Sequence, residues 1–173
     1  MKRILATLLV LSLVACAGYS GRGLMAGQST LEDILRVMGV PAMQWTEPDG
    51  SRRLAFPRGP MGVHTYMVDV AADGKLQRIE NTMAPPTFAK VQPGMDTGDV
   101  LRLLGPSVTS WSAYFGSRDE LVWGWRYCDE WNQLSRFYVL IDGTKKIVRS
   151  TMTQREDQMG HCGGAQGGCW CSH

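Results

Sequence analysis

One seven-residue pattern occurs twice in this chain. Asp33-Ile34-Leu35-Arg36-Val37-Met38-Gly39 and Asp99-Val100-Leu101-Arg102-Leu103-Leu104-Gly105 match in charge and apolar character at every position, and a proline follows each, at Pro41 and Pro106. The same offset carried forward sets Trp45 on Trp111 and Gly50-Ser51-Arg52 on Gly116-Ser117-Arg118. Further on, each half holds an alternating apolar stretch ending in Asp-Gly, at Asp73-Gly74 and Asp142-Gly143. Self-similarity over such a span marks a tandem duplication, so the chain solves one folding problem twice.

Each copy opens with a helix whose ends are legible. Ser29 or Thr30 can cap the first, with Glu32 or Asp33 completing a capping box, and Asp96 or Thr97 does the same for the second with Asp99 in reach. Leu31, Ile34, Leu35 and Met38 share one face, as do Val100, Leu101 and Leu104. Gly39 and Gly105 stop the helices in a left-handed conformation, with proline close behind. Helices this short are marginal alone and must pack on something. That partner is read as a sheet: Arg53 to Phe56, Val63 to Val70 and Leu76 to Met83 in the first copy, Glu120 to Tyr127, Ser135 to Ile141 and Lys146 to Thr153 in the second. The expectation is an α+β chain of two tandem units, each one or two helices on a three-stranded antiparallel sheet, spanning 27–83 and 84–153 and joined at Ala84-Pro85-Pro86.

The segments outside the units are unlike them. Lys2 and Arg3 precede an apolar run, Ile4 to Val14, too short to span a bilayer and laid out as a signal peptide over 1–15. Leu13-Val14-Ala15-Cys16 resembles the lipobox of bacterial lipoproteins, in which the cysteine thiol is alkylated and becomes the acylated N-terminus. Ala15-Cys16-Ala17 also satisfies an ordinary cleavage rule after Ala17. Removing the leader takes away two cations and no acid, so the remaining Lys and Arg equal the 16 Asp and Glu, and no basic stripe points to nucleic acid. Residues 16–26 read as a lipidated, glycine-rich tether and 154–173 as a flexible Gly- and Cys-rich tail.

Pro93-Gly94-Met95-Asp96-Thr97-Gly98-Asp99-Val100-Leu101-Arg102-Leu103-Leu104-Gly105-Pro106 resembles the signature of the SmpA/OmlA (BamE-like) family of outer-membrane lipoproteins. Phe88-Ala89-Lys90-Val91 looks like the end of that family's leading helix, and Ala26-Gly27-Gln28-Ser29-Thr30 through Gly39-Val40-Pro41 is a second, looser match. The resemblance implies a periplasm-facing protein, anchored in outer-membrane lipid through acylated Cys16. It also implies a non-enzymatic scaffold or binding role in outer-membrane protein assembly or envelope integrity, with the barrel-assembly machinery as partner. Tandem units of this kind also resemble the β-lactamase inhibitor proteins, which implies a periplasmic inhibitor as the alternative.

No motif for a serine or cysteine nucleophile, a metallopeptidase or a phosphate-binding loop occurs, so neither an enzyme nor a cofactor is expected. His64 reads as a structural residue of a strand, and Glu47, Asp49, Asp129 and Glu130 as solvated loop acids. Trp123, Trp125 and Tyr127 alternate on one face and read as core. Trp111 and Trp131, in expected loops, are the candidate partner-binding residues. Cys128, Cys162, Cys169 and Cys171 are an even set of disulfide candidates, and a bridge from Cys128 would staple the tail. The competing reading is a soft-metal site of His161, Cys162, Cys169, Cys171 and His173, for a metal-handling lipoprotein.

Overall fold

A computed structural model describes residues 20–59, 61–160, 162 and 169–171. Helix α1 (Leu31–Met38) leads into strands β1 (Met43–Thr46), β2 (Arg52–Pro57), β3 (Thr65–Val70) and β4 (Leu76–Asn81). Two more helices, α2 (Pro85–Phe88) and α3 (Thr97–Leu104), precede β5 (Ala113–Phe115), β6 (Glu120–Cys128), β7 (Leu134–Asp142) and β8 (Val148–Arg155). The chain is α+β, with two four-stranded sheets in the orders β1-β2-β3-β4 and β5-β6-β7-β8, antiparallel throughout.

The expected three strands per sheet are thus four. The added ones are β1 and β5, first partners of β2 and β6, and Gly50 and Gly116 lie in the turns that join each pair. All three residues of β5 are exposed, so burial imposes no alternation on it to be read, and β1, though alternately half-buried and exposed, is only four residues long. The gapless match of Trp45 with Trp111 also fails in detail. Trp45 lies in β1, whereas Trp111 ends a 3-10 turn, Thr109–Trp111, ahead of β5.

The helix signals act as chemistry requires. Thr30 and Asp33 form a reciprocal capping box on α1, and Asp96 accepts from Asp99 N–H on α3. Gly39 and Gly105 end the helices at φ 83° and 75° with ψ −155° and −171°. That is positive φ with extended ψ rather than the left-handed helical region, a combination essentially restricted to glycine.

Alternation along the strands gives each sheet two faces. On the first sheet, Leu54, Phe56, Val68 and Val70 pack with Ile34 and Met38 of α1 to make one core. On the second, Trp125, Tyr127, Phe137, Val139 and Ile141 pack with Phe88 of α2 and Val100 and Leu104 of α3 to make the other. Met83, assigned by sequence to the end of the first unit, belongs to this second core. The opposite face of the first sheet is also closed: Ala55 and Met67 are fully buried there, against the C-terminal end of α3. The layers therefore run α1, first sheet, α3, second sheet. Among the described residues, only a 3-10 turn, Asp157–Met159, follows β8, and no α-helix closes the last face.

Candidate functional site

That last face, the outer side of the second sheet, carries polar chemistry buried without an α-helix above it. Arg126 on β6 and Arg136 on β7 are cross-strand partners and alternate with the core residues Trp125, Tyr127 and Phe137, so both guanidiniums project outward. Glu156, just past β8, lies between them at 2% side-chain exposure. Arg136 Nε donates to Glu156 Oε1 at 2.8 Å, and Arg126 Nη2 donates to Oε2. Trp111 lies across the pair, its ring centroid 4.0 Å from the Arg136 guanidinium carbon and 5.9 Å from that of Arg126. A Cβ on Gly124 would lie 3.0 Å from Tyr138 Cε1 and 3.2 Å from Trp111 Cβ, so glycine in mid-strand leaves room for both side chains. Arg136 Nη1 also donates to Tyr138 Oη at 3.4 Å.

Burial pushes the Glu156 carboxyl up, but the hydrogen bonds and charges of Arg126 and Arg136 outweigh it and hold the group below the usual glutamate range. The same exchange raises Arg136 against its own desolvation. Glu156 is therefore ionised at neutral pH with both oxygens engaged, and the cluster offers no free proton acceptor.

The tail closes over this end of the sheet. Cys128, the last residue of β6, is disulfide-bonded to Cys171, and Cys162 to Cys169. Trp170 bridges to Gln133, Leu134 N–H donates to Cys169 O at 2.6 Å, and Cys171 N–H donates to Asn132 O at 3.0 Å, so residues 169–171 extend the sheet beside the β6–β7 turn. Asp129 orders that turn by accepting from Trp131 N–H, Gln133 N–H and Ser135 Oγ–H. One carboxylate oxygen of Glu156 and the sulfurs of Cys162 and Cys169 lie within 4.8 Å of one another, spacing suited to a metal ion. The donors are already committed: the sulfurs bond each other, and two guanidiniums hold the carboxylate.

The residues singled out by sequence scatter. Trp111 is half-buried, its ring stacked on the Arg136 guanidinium; Trp131 is 64% exposed in the β6–β7 turn, with Trp170 at 59% on the pinned tail. His64 sits just before β3 rather than within it and stacks on Tyr66. Asp49 caps its own turn through Ser51, and Glu47 faces Arg102 at 3.8 Å. Cys16, His161 and His173 lie outside the described residues. Sequence reading passed over Arg126, Arg136 and Glu156, although two arginines at outward positions of strands this apolar were a usable signal.

The chain matches no family model, no curated protein and no solved structure.

Proposed function

We propose that this chain is a lipid-anchored, periplasm-facing outer-membrane protein made of two tandem BamE-like units, acting as a non-enzymatic binding or scaffolding module. In this reading Cys16 carries the acyl chains, and more than one chain is needed for lasting attachment. The exposed pair Trp131 and Trp170 carries the proposal. Two large aromatics stand in water on a turn ordered by Asp129 and a strand pinned through Cys128 and Cys171. Rigid aromatics already fixed in place lose little entropy on binding and make strong anchors for a protein partner. Disulfides are at home in an oxidising compartment, which agrees with export behind the Leu13-to-Cys16 motif. Work on the barrel-assembly machinery or on envelope integrity is the role this reading favours.

Crosslinking in intact cells followed by pull-down tests it, with Cys16→Ser and Trp131→Ala beside the parent chain. Cys16→Ser should release the protein from membranes, and Trp131→Ala should lose the crosslinked partner while staying membrane-bound. Continued membrane attachment of Cys16→Ser would overturn the anchor, and an unchanged partner profile in Trp131→Ala would overturn the binding surface.

A further inference from the structure

The loop between β2 and β3 ties the first unit to the polar cluster of the second sheet. It closes on itself, because Arg58 N–H donates to His64 O at 2.9 Å and a Cβ on Gly62 would collide with the Arg58 carbonyl oxygen. Arg126 Nη1 then donates to Met61 O at 3.4 Å, while Nη2 of the same guanidinium holds Glu156.

Two cavities adjoin that tie. One, of about 300 Å³, has Ser107, Thr109 and Ser110 in its lining, from the segment that carries Trp111. The other, of about 410 Å³, runs from Arg58 to Trp170 on the pinned tail. Gly62, His64 and Arg126 line both, so the two form one cleft about the Arg126 side chain. Each is within the size range of small-molecule pockets.

The charge of this cleft is one-sided. Among the described residues, neither cavity has an Asp or Glu in its lining. Arg126 and Arg136 share the single negative charge of Glu156, which leaves one positive charge over. Arg58 adds a second, with no ion-pair partner among the described residues. Arg126 Nε is buried and makes no hydrogen bond within the described chain, although both other nitrogens of its guanidinium are engaged. A buried charged donor left without an acceptor is costly, and an anionic oxygen is the acceptor that suits it.

We propose that this cleft binds a small phosphate monoester, its phosphate held by Arg126 and Arg58 and its organic body lying in the space beside them. Near neutral pH a phosphate monoester carries about −1.5 to −2 charges and three strong acceptor oxygens. That charge answers the two uncompensated cations, where a carboxylate or a phosphodiester brings only one. Cavities of this size leave room beyond the phosphate, and the hydroxyl-bearing residues 107, 109 and 110 suit a polar body there. The inference stands apart from the membrane anchor and from the exposed surface of Trp131.

Titration calorimetry of the full chain with its disulfides intact, at constant ionic strength and with glycerol 3-phosphate as the probe, tests it. The parent chain should bind saturably at one site, more tightly than it binds inorganic phosphate or acetate. Arg58→Ala, at an exposed position and expected to unfold thermally like the parent, should weaken binding by about tenfold, the worth of roughly 1.4 kcal/mol in a charge-assisted hydrogen bond. Arg126→Lys keeps the cation beside Glu156 and removes Nε, so it should weaken binding at least as much. Lys145→Ala, an exposed cation in the β7–β8 turn, should bind like the parent. Absence of saturable binding overturns the proposal, and so does an equal loss in Lys145→Ala, which would mean diffuse attraction to positive charge. Inorganic phosphate binding as tightly as the ester would reduce the ligand to the free ion and overturn the organic body.

Discussion

The two sheets share strand order and a leading helix, but their outer faces are closed by different means. On the first, Asp69 takes Arg53 at 2.6 Å and Arg78 at 2.8 Å, and the network is only partly covered, Asp69 keeping 19% of its side-chain exposure beside the end of α3. On the second, Glu156 takes Arg126 and Arg136 with the carboxylate at 2% and Arg136 at 9% side-chain exposure, Arg126 alone keeping 21%, beneath Trp111 and the tail. The charge pattern is the same, two guanidiniums on one carboxylate, and the degree of burial is not. Where the next unit supplies a helix, the polar network can remain near solvent. On the second sheet, the 3-10 turn bearing Trp111 and residues 169–171 lie over it instead.

The largest test of that contrast is to neutralise each carboxylate. Removing one partner from a buried ion network leaves uncompensated charge, so Glu156→Gln should cost about 3–5 kcal/mol in urea unfolding. Asp69→Asn, in the partly solvated network, should cost about 1 kcal/mol or less. Equal losses would mean that burial does not distinguish the two faces. The pH dependence follows the same line. The folded Glu156 carboxyl titrates below its unfolded value of about 4.3, so its contribution is complete above that pH and is lost as pH falls through the lower folded value. Parent and Glu156→Gln stabilities should therefore converge in strong acid and diverge toward neutrality.

The second test concerns the covalent part of the closure. The Cys128–Cys171 bond spans 43 residues, and a loop of that order is worth about 2–4 kcal/mol. The double variant Cys128→Ala with Cys171→Ala should lose that much, and hydrogen exchange should locate the loss at β6 and β7 while β2 and β3 stay protected. Loss spread evenly over both sheets would mean that the tail supports the whole stack rather than its last face.

These two networks also mark the limit of what the sequence made legible. Both main helices and six of the strands could be read because each announces itself locally, Thr30 and Asp33 three residues apart, Trp123, Trp125 and Tyr127 two apart. Ala113, Tyr114 and Phe115 could not, since a fully exposed edge strand leaves no burial pattern. Arg126 and Arg136 were visible as outward charges on apolar strands, but their acceptor lies 30 and 20 residues on, past the expected end of the sheet. Trp111 looked like an exposed loop aromatic because its partner, Arg136, reaches it only through the fold. Local signals fix elements, and long-range pairing decides which of their polar residues become a site.

The finest comparison is between the two helix-ending glycines, equivalent in the repeat and alike in backbone. Alanine at either must adopt a conformation nearly closed to side chains, which costs about 1–3 kcal/mol in both copies. At Gly39 that is the whole effect, because the new methyl meets open space. At Gly105 the methyl would lie 2.8 Å from Thr65 Cγ2 on a fully packed sheet face, adding an overpacking cost of about 1–3 kcal/mol. The excess of Gly105→Ala over Gly39→Ala thus isolates the contact between units from the strain they share. Thr65→Ser, which removes that methyl, should recover part of the excess in Gly105→Ala and nothing in Gly39→Ala, a coupling readable as a double-mutant cycle by thermal unfolding. Equal costs at the two glycines, or rescue at both, would mean that α3 does not bear on the first sheet as closely as its end suggests.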